Sequence, residues 1–145
     1  MLLAKIVLSA ILGGIIGFER EVADKPAGLR THMIVGASAT LLVGLGTSIA
    51  LSFPDDSLIR SDPIRIIEAI IVGISFLGAG TIFKQRDEEG VAGLTTAASI
   101  LFTAGIGIAV ALDHYILAGG VTVLGVLITY VLGRIEPRIK NMKGS

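Results

Sequence analysis

Five long apolar stretches divide the chain, and short polar or charged segments separate them. They run from Leu2 to Phe18, Thr31 to Phe53, Ile64 to Phe83, Leu94 to Leu112 and Tyr115 to Leu132. Each holds about 17 to 23 residues, enough for a helix to cross about 30 Å of hydrocarbon at 1.5 Å per residue. The pattern predicts an all-α membrane protein with five transmembrane helices. Residues 19 to 30, Pro54 to Pro63 and Lys84 to Gly90 are expected as loops, with Asp113-His114 as a tight connection. Within the apolar stretches small residues step by four: Gly13 and Gly17; Gly36, Thr40, Gly44 and Ser48; Thr95, Ser99, Thr103, Gly107 and Ala111; Gly125, Thr129 and Gly133. Such stripes let helix backbones come close, and they predict a homo-oligomer packed through them.

Composition agrees. The chain is 52% hydrophobic and 17% charged, with a mean hydropathy of +0.84. A soluble domain carries about a quarter of its residues as charges. The formal net charge is zero, so no global field draws in nucleic acid. The absence of cysteine excludes disulfides and thiolate ligands. The first stretch has a single lysine, Lys5, before it turns apolar, and Gly17-Phe18-Glu19-Arg20-Glu21 follows in place of a small-residue cleavage site. It is expected to be a retained helix in a lipid bilayer.

Basic residues set the expected orientation. With the amino terminus outside, nine of the twelve Lys and Arg fall on inner segments: Arg20, Lys25, Arg30, Lys84, Arg86, Arg134, Arg138, Lys140 and Lys143. Lys5, Arg60 and Arg65 fall outside. The positive-inside rule therefore predicts amino terminus out and carboxyl terminus in. Residues 1–133 form the transmembrane domain in this reading, and residues 134–145 a short basic cytoplasmic tail. A shift of 65 residues carries Gly13 onto Gly78, Ala27-Gly28-Leu29 onto Ala92-Gly93-Leu94 and Thr31 onto Thr96. Helices 1 and 2 then resemble helices 3 and 4 in the same orientation, a parallel internal repeat of the kind whose interfaces often hold sites.

Both Ala-Gly-Leu segments precede an apolar stretch, so each is expected at the start of a helix, on the inner face. Helix starts expose amide donors and favour anions, and Thr31 or Thr95 could cap them. Glu19, Arg20, Glu21, Arg30, Thr31 and His32 cluster at the first copy, with Thr95 and Thr96 at the second. This group reads either as a polar site for a partner or anion, or as residues that cap helices and pair with one another. Glu68 is the one carboxylate inside an apolar stretch. Together with an unwinding of the third helix between Gly78 and Gly80 it would mark a transport path, although Arg65, three residues earlier, can pair with it. A divalent-cation carrier wants several converging oxygen ligands, and this chain offers one such carboxylate, so the metal, if any, stays unknown. No phosphate-binding loop, zinc-ligand set or catalytic triad is present. The chain is therefore expected to be no enzyme and to need no cofactor.

Four pieces taken in order resemble the transmembrane domain of the MgtC/SapB family. They are Gly17-Phe18-Glu19-Arg20-Glu21, Pro26 to His32, Gly73 to Ile82, and Val91 with Gly93-Leu94-Thr95-Thr96-Ala97-Ala98-Ser99. The resemblance covers residues from about 13 to 110. It implies a multi-pass inner-membrane protein of a bacterium or archaeon, linked to growth in low magnesium and acting as a regulator. It also implies a membrane protein partner, the proton-driven ATP synthase in the best-known member. Long members carry a soluble domain after the fifth helix, whereas this chain stops about a dozen residues beyond it, and Ile100 stands where the family often has Trp. The first difference weakens the transfer of the ATP synthase role.

Overall fold

The computed structural model describes residues 1–52, 63–84 and 93–143, with the side chains of residues 63, 83, 84, 132 and 134–143 left aside. Val91, Ala92 and most of the two longer loops predicted from the sequence lie outside the described residues. Five helices follow one another: α1 (Leu2–Val22), α2 (Leu29–Ser52), α3 (Pro63–Lys84), α4 (Leu94–Ala111) and α5 (Tyr115–Lys143). Four of them are long and apolar enough to cross a membrane by length and composition. The apolar part of α5, Tyr115–Val131, is shorter.

Two boundaries differ from the sequence reading. Residues 19 to 22, expected in a loop, continue α1. Glu and Arg are good helix formers, and the chain breaks only where Asp24 takes φ 54° ahead of Pro26. Asp is among the few side chains that tolerate the left-handed region. The backbone beyond Gly133 likewise continues α5, as far as Lys143. Both Ala-Gly-Leu segments do start helices, at Leu29 and Leu94. Their threonines do not cap them, because Thr31 and Thr95 already lie inside the first turn. The Leu29 N–H instead donates to the Glu21 carboxylate at 2.7 Å. Gly93, at φ 93°, is the N-cap of α4, without a side-chain cap.

α4 sits at the centre. It packs against each of the other four helices, while among the described residues α3 touches only α2 and α4, and α5 only α1 and α4. Accordingly 44% of the α4 span is buried, against 11% for α3. One apolar core, with Val35, Ala39, Val43, Ile70, Ile100 and Ala104, joins α2, α3 and α4. A second, with Ile16, Ile106, Val110 and Ala118, joins α1, α4 and α5.

Between these cores α1, α2 and α4 meet backbone to backbone. A Cβ at Gly13 would stand 2.5 Å from the His32 carbonyl oxygen, one at Gly36 would stand 2.7 Å from that of Ser9, and one at Gly107 would run into the Gly36 carbonyl. Thr40 Oγ1 donates across the same junction to the Gly107 carbonyl at 2.7 Å. The α1, α2 and α4 stripes expected to join two copies are thus spent largely within one chain. Gly78 of α3 packs on Ala97 of α4, much as Gly13 packs on His32, and both members of the first contact stand 65 residues beyond those of the second. α3 runs unbroken through Gly78 and Gly80, contrary to the unwinding expected there. Successive i→i−4 bonds hold it, and glycine lowers helix propensity without forbidding the helix.

At the opposite end of the bundle from the α1–α2 turn, the Lys5 ammonium donates to the Ala111 carbonyl at 3.0 Å and to Asp113 Oδ2 at 2.7 Å. A cation there complements the C-terminus of α4. Asp113, at φ 65°, also accepts from the Tyr115 hydroxyl. The hydrogen bonds from Lys5 and Tyr115 hold the Asp113 carboxyl below its ordinary value.

Two outcomes are expected for stability in detergent. Gly107→Ala should destabilise by about 1–3 kcal/mol through overpacking. Gly105→Ala should be neutral or stabilising by up to about 1 kcal/mol, because nothing lies within 4 Å of its Cβ position. Unfolding midpoints compare the two. Because the Asp113 carboxyl is depressed, its contribution is fully present above its unfolded value near pH 4 and is lost as pH falls through the lower folded value. Asp113→Asn should therefore lower the midpoint at pH 7 and leave it unchanged at the acid end of the titration.

Candidate functional site

The end of the bundle that holds the α1–α2 turn gathers the polar side chains. Arg20, on the last turns of α1, is 3% exposed. Its Nε donates to Glu19 Oε2 at 2.6 Å and its Nη2 to Glu19 Oε1 at 2.8 Å, a bidentate pair. Such a fork is the strongest geometry open to the two groups. The Thr129 hydroxyl of α5 faces the same carboxylate. The side chains of both partners are largely buried, 4% exposed for Arg20 and 14% for Glu19.

His32 is the second centre. It is fully buried, one turn into α2. Its Nδ1 lies 2.9 Å from the Gly28 carbonyl and its Nε2 lies 3.1 Å from Ser99 Oγ of α4. A carbonyl only accepts, so Nδ1 carries a hydrogen. Nε2 of the neutral ring then accepts from the Ser99 hydroxyl. Ser99 Oγ also lies 2.8 Å from the Thr96 carbonyl, a second acceptor for the same hydrogen. Ser99 can therefore answer a neutral ring by donating to it. It can answer a charged ring by turning its hydrogen to Thr96 and accepting from Nε2.

Ser99 also lines a crevice of about 120 Å³ between α1, α4 and α5. Thr95 and Thr129 line it as well, with Ile16, Phe102 and Gly125. The accessible lining is almost wholly apolar, although three hydroxyl residues border it. Gly125 is needed there, since a Cβ would stand 2.7 Å from the Phe102 ring.

Of the residues singled out from the sequence, the structure brings Glu19, Arg20, His32 and Thr95 around one packed region. Thr96 is buried beside it and offers its carbonyl. Thr31 is half-buried, and Arg30 is exposed on the first turn of α2. Glu21 is exposed and caps that helix. Glu68 and Gly80 stand apart, exposed on α3, and Gly78 is packed on α4. No ion pair joins Glu68 to Arg65 among the described residues. Nor do three or more His, Asp or Glu side chains among them gather to hold a metal ion. Sequence reasoning placed Ser99 and Thr129 only in packing stripes. The sole signal for a polar role was a hydroxyl at a small-residue position, and His32 and Ser99 are 67 residues apart.

Several long apolar helices, an interior of small and hydroxyl side chains, and ion pairs at the two ends of the bundle define a multi-pass α-helical membrane protein. The chain belongs to the MgtC family, which matches residues 6–138. It is 36% identical to SapB of Bacillus subtilis over 79% of this chain and 49% of that protein. It is 35% identical to YhiD of Escherichia coli K12, whose name proposes a magnesium transporter, over 94% of this chain and 63% of that protein. It is 42% identical to MgtC of Brucella abortus over 68% of this chain and 37% of that protein. The chain thus spans about a third to two thirds of the length of these relatives. No solved structure matches it.

The hydrogen-bond arrangement fixes an expected tautomer. Nitrogen NMR in bilayers at neutral pH should show the His32 Nδ1–H form with Nε2 accepting. Ser99→Ala should shift the Nε2 resonance toward that of an unbonded nitrogen and leave Nδ1 in place, because the Gly28 carbonyl remains.

Proposed function

We propose that the chain is a non-enzymatic regulator in the inner membrane of a bacterium, linked to magnesium limitation, and that it acts by binding at the α1–α2 end of the bundle. In this reading that end lies in the cytosol, with the amino terminus outside, as the basic residues favour. The observation that carries the reading is the gathering of Glu19, Arg20, His32, Ser99 and Thr129 at one end, beside a small crevice. Elsewhere the buried hydroxyls of Ser9, Thr40, Thr103 and Thr122 each donate to a backbone carbonyl. Ser99 and Thr129 also lie within reach of a carbonyl, of Thr96 and Val126, but Ser99 differs in lying within hydrogen-bond reach of the His32 ring as well. The magnesium link rests on family membership and on the names of the relatives.

The second reading, magnesium or proton transport, draws its support from the name of YhiD. Two features weigh against the path first considered for it. Glu68 faces outward from α3, and α3 is continuous through Gly78 and Gly80.

Growth of a deletion strain in low magnesium separates the readings. Arg30→Ala changes an exposed side chain and tests the outer part of the surface. Arg20→Lys keeps the charge and loses the fork. Arg20→Ala would leave Glu19 unpaired in the packed region, at a cost of about 3–5 kcal/mol, so it tests folding rather than binding. Arg30→Ala and Arg20→Lys should each insert at wild-type levels and fail to restore growth, while Glu68→Gln restores it. Full complementation by both arginine variants would remove the site from the proposal. Magnesium flux in proteoliposomes that is lost in Glu68→Gln would promote transport in its place.

A further inference from the structure

The charges near the ends of α1 are answered within the chain: Lys5 by Asp113, and Arg20 by Glu19. Arg65 and Glu68 are different. Both are exposed on α3, inside the apolar span Ile64–Ile82, and neither has a hydrogen-bond or ion-pair partner among the described residues. A carboxylate within a membrane span is costly, and such groups nearly always face a bundle interior or a partner charge. Here the helix turns Glu68 away from its own bundle. No described residue of this chain answers it.

The same face bears on what answers it. α3 buries Ile70 and Gly78 against α2 and α4. On its far side Arg65, Ala69, Val72 and Phe76 recur at spacings of four, three and four, the repeat of a helix seam. Phe76 is 81% exposed and Val72 70%. Beside the seam lie Gly73 and Gly80, whose Cβ positions have nothing within 4 Å. Gly105 of α4 and Gly119, Gly120 and Gly133 of α5 are open as well, but only on α3 do open glycines, among the described residues, lie near a cation and an anion without partners. The face is also self-complementary in charge, since it carries one cation and one anion three residues apart.

We infer that α3 packs against α3 of a second copy of this chain about a two-fold axis along the membrane normal, with reciprocal Arg65–Glu68 ion pairs. On such an axis equivalent residues stand at equal depth. Glu68 lies about 4.5 Å deeper than Arg65 at 1.5 Å per residue. Both side chains lean toward the amino end, so the offset remains, and the long Arg65 side chain spans it by turning back toward the partner's carboxylate. The two-fold makes each pair twice, as an isologous interface requires.

The natural chain has no cysteine, so single cysteines report proximity cleanly. Phe76→Cys and Val72→Cys should form disulfide-linked dimers under oxidation in native membranes, whereas Leu77→Cys, also exposed but turned away from Glu68 and Val72 around the helix, should not. Added to Phe76→Cys, either Arg65→Glu or Glu68→Arg should lower the cross-linked fraction about tenfold, the change that about 1.4 kcal/mol produces. The double reversal R65E/E68R should restore it to near the original level. An unchanged unfolding midpoint in the single reversals shows that the chain itself remains folded. Co-expressed R65E and E68R copies should cross-link to each other, which a pair confined to one helix would not bring about. Failure of Phe76→Cys to cross-link, or cross-linking indifferent to both reversals, would overturn the proposal and leave lipid headgroups as the partners of Arg65 and Glu68.

Discussion

The meeting of three backbones sets the terms for this molecule. At Gly13, Gly36 and Gly107 a single added carbon would fall on a carbonyl oxygen or hard against it. Lipid tails are as apolar as leucine, so transmembrane helices gain little from burying apolar surface against each other. What remains is close van der Waals contact and hydrogen bonds across the interface. Small residues permit the first, and Thr40 supplies the second by donating to the Gly107 carbonyl. The apolar clusters on either side of α4 fill the space that this junction leaves. That order of causes explains why α4 is central although it is the shortest of the five helices. Its stripe of Ser99, Thr103 and Gly107 faces α1 and α2, while Ile100 and Ala104 turn to the α2–α3 side and Ile106 and Val110 to the side shared with α1 and α5.

The same economy governs polar groups. Water is absent from the bilayer core, so each buried donor must find an acceptor inside the protein. Most hydroxyls here return to a carbonyl one turn back, which costs the helix little and builds nothing. His32 cannot do so with both nitrogens. Its Nδ1 takes the Gly28 carbonyl, which also accepts the His32 backbone N–H at 3.2 Å. Its Nε2 must cross to α4, where Ser99 waits. A buried histidine thus joins the first turn of α2 to the second turn of α4. The Glu19–Arg20 fork is satisfied within α1 itself.

Much of this was legible in the sequence, and the reasons for the rest are physical. The number and order of the helices followed from the length of the apolar stretches, and both Ala-Gly-Leu segments proved to be helix starts. The end of α1 was missed because charged residues were taken as loop, although Glu and Arg propagate a helix well until Asp24 and Pro26 break it. The threonine caps were missed because Glu21, eight residues before Leu29, does that work from the previous helix. The small-residue stripes were seen correctly as contact surfaces, and those of α1, α2 and α4 make contacts within one chain. Spacing shows that a backbone comes close and cannot show whose backbone it is. Glu68 was recognised as unusual, yet whether it turns inward or outward depends on which side of α3 is buried, and that is fixed only by packing. Ser99 had no chemical signature at all until His32 was placed beside it.

The tight junction and the polar end are not independent, because α4 carries both. Thr103 touches the Gly13 and Gly36 positions with its methyl group and donates to the Ser99 carbonyl at 2.9 Å. Ser99 in turn holds His32 and lines the crevice. A group that entered the crevice and displaced Ser99 would press on helix turns with no spare volume beneath them. Close-packed interfaces of this kind do not deform smoothly; they shift as units between discrete arrangements. α5 and α3 flank the tight three-helix core, and neither contributes a glycine to the junction. Any rearrangement that spares the junction is therefore carried by these two outer helices, of which α5 closes the crevice and α3 bears the unanswered charges.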